Sequence, residues 1–218
     1  MATHAAELRY IDTVSAYVDP TPSAAVISAC SVLRANLQTN PQDTPRSLGI
    51  VGCTRAHSYA DVVLGLAFAT LAAVPGRVLV VDADLNRPTL HGLFKGGLPV
   101  PGFTDFAASG LRVSDAIRSV TPRLDVITSG SETADPAGVM LNPDLIAAIA
   151  GVERDYIQTL FLTPPLDEGP AGALLAARLD GAVLVVRAGG DEPNQLVEAR
   201  EMLSRTGARL RGFVLVTG

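Results

Sequence analysis

At 218 residues, 48% of them apolar and 18% charged, the chain has material for one large buried core rather than two small domains. A net charge of −5 and a pI near 5.1 exclude a general nucleic-acid binder and a polybasic membrane anchor. The mean hydropathy is positive, at +0.31, yet no uncharged apolar run approaches the roughly 20 residues that a spanning helix needs, so no direct membrane insertion is expected. Met1 to Tyr10 contain Glu7 and no basic cluster ahead of an apolar stretch, so no signal peptide is expected. Cys30 and Cys53 are too few for a disulfide framework or a four-ligand zinc site. They read as two reduced core thiols of a cytoplasmic protein, with no metal.

In chain order, residues 1–22 read as an N-terminal arm that closes on the turn-rich Asp19-Pro20-Thr21-Pro22, and residues 23–218 as a single domain. Ile27, Cys30, Leu33 and Leu37 recur at helical spacing, and Asn40-Pro41 stops that helix. Short apolar runs then alternate with helical stretches. Strands are predicted at Ser47–Gly52, Arg77–Val81, Leu124–Thr128, Ile157–Leu162, Ala182–Arg187 and Phe213–Val216. Helices are predicted at Tyr59–Val74, Asn142–Val152, Pro170–Leu179 and Pro193–Thr206. Near-continuous Val/Leu/Ile strands suit a parallel sheet covered on both faces, so the fold class is α/β, doubly wound, with a mostly parallel sheet.

Ligands of such a sheet sit beyond the C-terminal ends of its strands, and three of those ends are informative. Val78-Leu79-Val80-Val81 runs into Asp82-Ala83-Asp84, with Arg87-Pro88 close behind. Two carboxylates two positions apart face the same way at the strand end and can hold Mg²⁺ through water or accept a proton from a hydroxyl, or one of them can cap the turn that ends the strand. The strand ending at Gly52 meets a short connector and a long apolar helix from Tyr59, which is the layout of a phosphate-binding P-loop. Such a loop needs glycines, a Lys for the β/γ-phosphates and a Ser or Thr for Mg²⁺, whereas this one carries Arg55, Ala56, His57, Ser58, Tyr59, Ala60 and Asp61. The third strand ends at Leu162 before Thr163-Pro164-Pro165, with no carboxylate at its tip.

Together these segments resemble the cytoplasmic domain of bacterial tyrosine kinases (BY-kinases) of polysaccharide copolymerases, within the MinD/ParA-like deviant-Walker P-loop group. The resemblance spans roughly residues 23–218. Ser31–Leu37 is similar to the family's "R-x-L-R-x-N-L" helix, Asp82–Pro88 to its "D-x-D-x-R-R-P" Walker A′ and Gly102–Phe106 to "G-L-S-D-x-L". Val126–Gly130 with Asp135-Pro136 is similar to "V-L-x-x-G…N-P", Thr163-Pro164-Pro165 to the end of Walker B, and Leu184–Arg187 to "L-L-V-V-R". Aligning Gly65-Leu66-Ala67 with the family's "N-L-A" puts Tyr59 at the phosphate-binding Lys, and Ala60 and Asp61 at the Ser/Thr pair. Asp61 would turn a carboxylate toward the phosphate site. Leu162 stands at the Walker-B Asp, Ala171 at a downstream Asp, and Val216 at an Asn near the adenine. Ser28 and Ser31 replace an acidic and a basic residue of the oligomerisation helix, which leaves a homodimer open. The tyrosines are Tyr10, Tyr17, Tyr59 and Tyr156, so no counterpart of the family's tyrosine-rich tail is expected.

The resemblance therefore implies a P-loop domain without catalysis. Loss of one oriented donor costs roughly a hundred- to thousandfold in rate, and here the Lys, the Mg²⁺-binding hydroxyl and the Walker-B carboxylate are all absent. Asp82, Asp84 and Arg87 remain as a vestigial Walker A′ that caps and pairs locally. No cofactor is expected; residual nucleotide or phosphate binding at Arg55 and His57 is the weaker reading, against a solvated loop with two chance basic residues. Ser58 lacks the G-x-S-x-G context of a hydrolase nucleophile, and Cys53 with His57 does not make a zinc site. The implied partner is an inner-membrane polysaccharide copolymerase or an active BY-kinase paralogue, with the chain cytoplasmic and held at the membrane through that partner. The enzymatic alternative is an active tyrosine kinase with a rearranged site, and the third is a MinD/ParA-like positioning protein.

Overall fold

A computed structural model describes residues 21–38, 44–55, 59–93, 101–105 and 111–217. The arm at residues 1–20, the Asn40-Pro41 stop, and Ala56, His57 and Ser58 lie outside them. Helix α1 (Ala24–Leu37) starts at Ser23, whose hydroxyl accepts from the Val26 N–H, the usual way of satisfying a first-turn donor. Then follow β1 (Ser47–Gly52), α2 (Tyr59–Ala73), β2 (Val78–Asp82), α3 (Val113–Ala116), β3 (Arg118–Thr121) and β4 (Leu124–Ile127). The chain ends through α4 (Pro136–Leu141), α5 (Pro143–Val152), β5 (Gln158–Leu162), α6 (Ala171–Ala176), β6 (Gly181–Arg187), α7 (Pro193–Thr206) and β7 (Leu210–Val216).

The strands form one seven-stranded sheet in the order β3-β4-β2-β5-β1-β6-β7. Every pair is parallel except β3 with β4. Alternate residues of the buried strands feed opposite faces. Leu48, Ile50, Val78, Val80, Leu160, Leu162, Val183 and Val185 pack with α1 and α2. On the other face, Leu79, Val81, Ile127 and Phe161 meet α3, α4, α5 and α6. Val51, Ala182, Leu184 and Val186 meet α6 and α7. Gly65 lets α1 approach α2 closely, since a Cβ there would lie 2.7 Å from Val26 Cγ1 and 2.8 Å from Cys30 Sγ. Both cysteines are free and buried.

The predicted strands and long helices are present, with ends shifted by at most three residues; Ser47–Gly52 and Pro193–Thr206 have the predicted ends. The helix expected at Pro170–Leu179 is shorter, Ala171–Ala176. Strand β3 was not predicted, because Arg-Ser-Val-Thr is a half-buried edge segment without an apolar run. Helix α4 was also missed, although Asp135 caps it through the Gly138 N–H and Pro136 opens it, a readable start signal.

At the N-terminal end of the sheet, the fully buried Asp125 accepts from the Tyr156 hydroxyl at 2.7 Å, from the Ser119 hydroxyl at 2.7 Å and from Arg77. Tyr156→Phe leaves that carboxylate short of one donor. The variant is expected to unfold in urea with about 1.5–3 kcal/mol less stability, the range for a hydrogen bond to a charged group; a value within experimental error of wild type contradicts this.

Candidate functional site

The strand order fixes where a ligand-binding edge must lie. From β1 the chain crosses toward β2 and β4, while from β5 it crosses toward β6 and β7, so connections leave adjacent strands in opposite directions. This is the switch point of an open α/β sheet, and the loops at the C-terminal ends of β1, β2 and β5 surround it.

After β2, Asp82 is fully buried and accepts three backbone N–H groups: Asp84 at 3.2 Å, Thr89 at 2.9 Å and Leu90 at 2.8 Å. It thereby ties the whole 83–90 loop to the strand end. Burial pushes its pKa up to about 7, against the backbone donors, which pull the other way. Asp84 does not share this orientation. It accepts from the Arg87 N–H at 3.3 Å and faces Arg55, whose Nη1 lies 3.3 Å from its Oδ2. Burial raises the Asp84 pKa more than Arg55 lowers it. The spacing-based expectation of two carboxylates facing one way is therefore corrected: Asp82 caps the turn, and Asp84 takes the cation. Arg87 itself is exposed.

Arg55 is the second correction. Its side chain is not a chance basic group on a solvated loop but is only 22% exposed and joins three strand ends. Beyond Asp84, its Nε pairs with Glu168 Oε1 and its Nη2 lies 2.5 Å from Glu168 Oε2, a bidentate fork. Asn86 donates to the same carboxylate at 3.3 Å, and the Arg55 backbone N–H reaches Asp167 at 3.4 Å. The hydrogen bond from Arg55 holds the Glu168 carboxyl below its usual range, and that contact raises the guanidinium pKa in turn. Glu168 lies 113 positions from Arg55, and nothing in the sequence marks the pair beyond an acidic Asp-Glu step in the turn after β5.

Tyr59 opens α2 and folds back over the end of β1. A Cβ on Gly52 would lie 2.0 to 2.2 Å from Tyr59 ring atoms, so the ring rests on the bare glycine backbone. The ring is 6% exposed and belongs to the cluster that holds Leu162 and Ile50. Leu162, at the tip of β5, is 1% exposed on the same face, next to Ile50 of β1 and Asp82 of β2 in the register. Ala60 is half-buried and Asp61 is exposed in the first turn of α2. Burial, with Asp191, Asp167 and Glu198 nearby, pushes the Cys53 thiol up to about 11, which disfavours a nucleophilic thiolate.

The Gly102–Asp105 and Val126–Gly130 segments also meet at this end of the sheet. Phe103 N–H donates to Thr128 carbonyl oxygen at 2.7 Å and Thr104 N–H to that of Ser129 at 2.9 Å, so the Gly102–Asp105 segment docks on the exit of β4. Asp105 accepts from Gly102 at 2.7 Å and Ser131 at 3.2 Å. A cavity of about 360 Å³ opens beside it, lined by Thr104, Ser131, Asp135 and Asn142 among others. Among the described residues, no three His, Cys, Asp or Glu side chains are grouped to hold a metal ion. No helix among them is long and apolar enough to cross a membrane.

A switch-point edge built from the β1 loop, the Asp82–Pro88 segment and the β5 tip defines a P-loop NTPase-like α/β domain. The chain is a homologue of bacterial tyrosine kinases. It is 25% identical over 186 residues to the tyrosine-protein kinase CpsD of Streptococcus agalactiae, covering 85% of this chain and 80% of that one. It is 30% identical over 195 residues to the putative tyrosine-protein kinase EpsB of Ralstonia nicotianae, which is 88% of this chain but 26% of the relative. The kinase domain of Escherichia coli tyrosine kinase ETK superposes with a TM-score of 0.79 at 23% identity, over 88% of this chain and 76% of that one. A ParA-family ATPase from Chlorobium tepidum shares the layout at a TM-score of 0.60, with 17% identity, over 80% of this chain and 74% of that one. No protein-family model matches the chain.

Two outcomes follow from this geometry. Gly52→Ala is expected to cost about 1–3 kcal/mol through overpacking against Tyr59, and that cost is expected to vanish in a Tyr59→Ala background; additive costs in a double-mutant cycle contradict the contact. Because Asp82 titrates near 7 when folded and near 3.8 when unfolded, the folded state binds more protons between those values. The stability of wild type relative to Asp82→Asn is therefore expected to fall as pH rises from about 4 to about 7, and to level off above it. Urea titrations across that range showing a constant difference contradict it.

Proposed function

We propose that the chain is a catalytically inactive BY-kinase-like protein that acts by binding, as a regulatory or scaffolding component of bacterial exopolysaccharide or capsule synthesis and export. The observation that carries this reading is the Tyr59 ring packed on Gly52 at the end of β1, at the position where the resemblance puts the phosphate-binding Lys. The side chains around it do not fit a Mg·nucleotide group. The β5 tip is apolar Leu162, Asp84 and Glu168 are engaged by Arg55, and Asp82 is consumed by backbone N–H groups. Phosphoryl transfer depends on positioned cations and an ordered metal, and none of the described residues supplies the Lys or the metal-binding hydroxyl that the resemblance calls for. Lost function at several such positions leaves essentially no transfer even when the losses are non-additive.

Under this reading the protein lies in the cytoplasm, at the inner membrane through a partner: a polysaccharide copolymerase or an active kinase paralogue. The relatives CpsD and EpsB carry the names of tyrosine-protein kinases, which favours the kinase alternative; the inactive reading is supported by this chain's own site residues alone. The test has two arms. Titration calorimetry with ATP and ADP, with and without Mg²⁺, is expected to give no heat, and incubation with labelled ATP to give no transfer to the protein or to a tyrosine substrate. Saturable binding with transfer returns the reading to an active kinase with a rearranged site. Pull-downs from membranes are expected to recover polysaccharide-export components; recovery of none, with surface polysaccharide unchanged on deletion, sinks the scaffold reading.

A further inference from the structure

The loops that a nucleotide-binding P-loop domain would join through its ligand are already joined here by one side chain. We propose that Arg55 is a resident cation that locks the C-terminal ends of β1, β2 and β5 together, so that this edge of the sheet holds one conformation without any exchangeable ligand. The proposal rests on the reading that the site takes no Mg·nucleotide.

Three observations carry it. Arg55 leaves the end of β1 and reaches Asp84 in the loop after β2 at 3.3 Å, and Glu168 in the turn after β5 through both Nε and Nη2, the latter at 2.5 Å. It therefore spans the same three strand ends that a metal–phosphate ligand would bridge in this fold. The geometry is also specific to a guanidinium, since a planar fork matches the Glu168 carboxylate while a third nitrogen stays free for Asp84; a Lys ammonium offers one point charge. Finally, the partners are committed to the lock by contacts of their own. Asn86 donates to Glu168, the Arg87 N–H donates to Asp84, and the Arg55 N–H reaches Asp167, so both acidic loops are organised around the same cation. Asp84 is only 4% exposed on its side chain, and an unpaired carboxylate at that burial is costly. Tyr59 rests on Gly52 at the end of the same strand, β1. Where a switch protein has an exchangeable bridge, this chain has a covalently attached one.

Hydrogen exchange on the full-length protein in EDTA, with no nucleotide, reads the lock directly. Arg55→Ala is expected to speed exchange of the amides in residues 84–90 and 166–169 by about tenfold or more, corresponding to about 1.4 kcal/mol of local opening, while amides of β2 and β5 keep wild-type rates. Arg55→Lys is expected to fall between the two, and Glu168→Gln to loosen the same segments, which keeps the comparison available if the alanine variant folds poorly. Arg112→Ala, which breaks an exposed pair with Asp115, is expected to leave both segments unchanged. Wild-type exchange in the 84–90 and 166–169 segments of Arg55→Ala, or of both Arg55→Lys and Glu168→Gln, overturns the proposal. Nucleotide binding in the calorimetry above would instead overturn the functional reading, since the exchange measurement contains no nucleotide.

Discussion

One ion-pair arrangement organises the functional edge of this domain: the Arg55 guanidinium between Asp84 and Glu168. An open parallel sheet gathers the ends of its strands but does not itself hold the loops that follow them. Acidic groups accumulate there, and without a cation they would repel one another and remain partly desolvated. In a P-loop enzyme the loop's own Lys is joined there by a Mg²⁺ ion that arrives with the nucleotide. Here the bridging cation is Arg55, and Asp84, Asn86, Asp167 and Glu168 are arranged around it.

The rest of the edge is consistent with a closed rather than a receptive surface. Asp82 gives its lone pairs to the Asp84, Thr89 and Leu90 N–H groups and so serves the loop rather than a ligand. Tyr59 and Leu162 extend the apolar cluster between β1, β5 and α2 up to the position where a phosphate site would need polar donors. Tyr59 and Leu162, two departures from the family pattern, thus have packing roles of their own. The described residues of this edge are held by contacts within the chain.

Most of the fold could be read from the sequence because the central parallel strands are buried on both faces, and Val78-Leu79-Val80-Val81 or Val183-Leu184-Val185-Val186 admit few other readings. What escaped was local and polar: β3 is a four-residue edge strand with no apolar run, and α4 is announced only by Asp135-Pro136. Tyr59 was visible as a departure from a P-loop, but whether it left or filled a cavity depended on Gly52, which only coordinates join to it. Arg55 was the least readable, because a salt bridge between residues 55 and 168 has no periodicity and no motif. The Asp82/Asp84 pair shows the same limit: spacing brought both to the strand end and said nothing of the separate partners each would take.

The central claim is that this edge is filled and paired by its own side chains. A crystal structure of the protein grown or soaked with millimolar Mg·ADP tests it most directly. The account predicts Tyr59 seated on Gly52, Arg55 bridging Asp84 and Glu168, and no nucleotide at the end of β1. Phosphates bound at the β1 loop, with Tyr59 swung away and Arg55 released from Glu168, would contradict it.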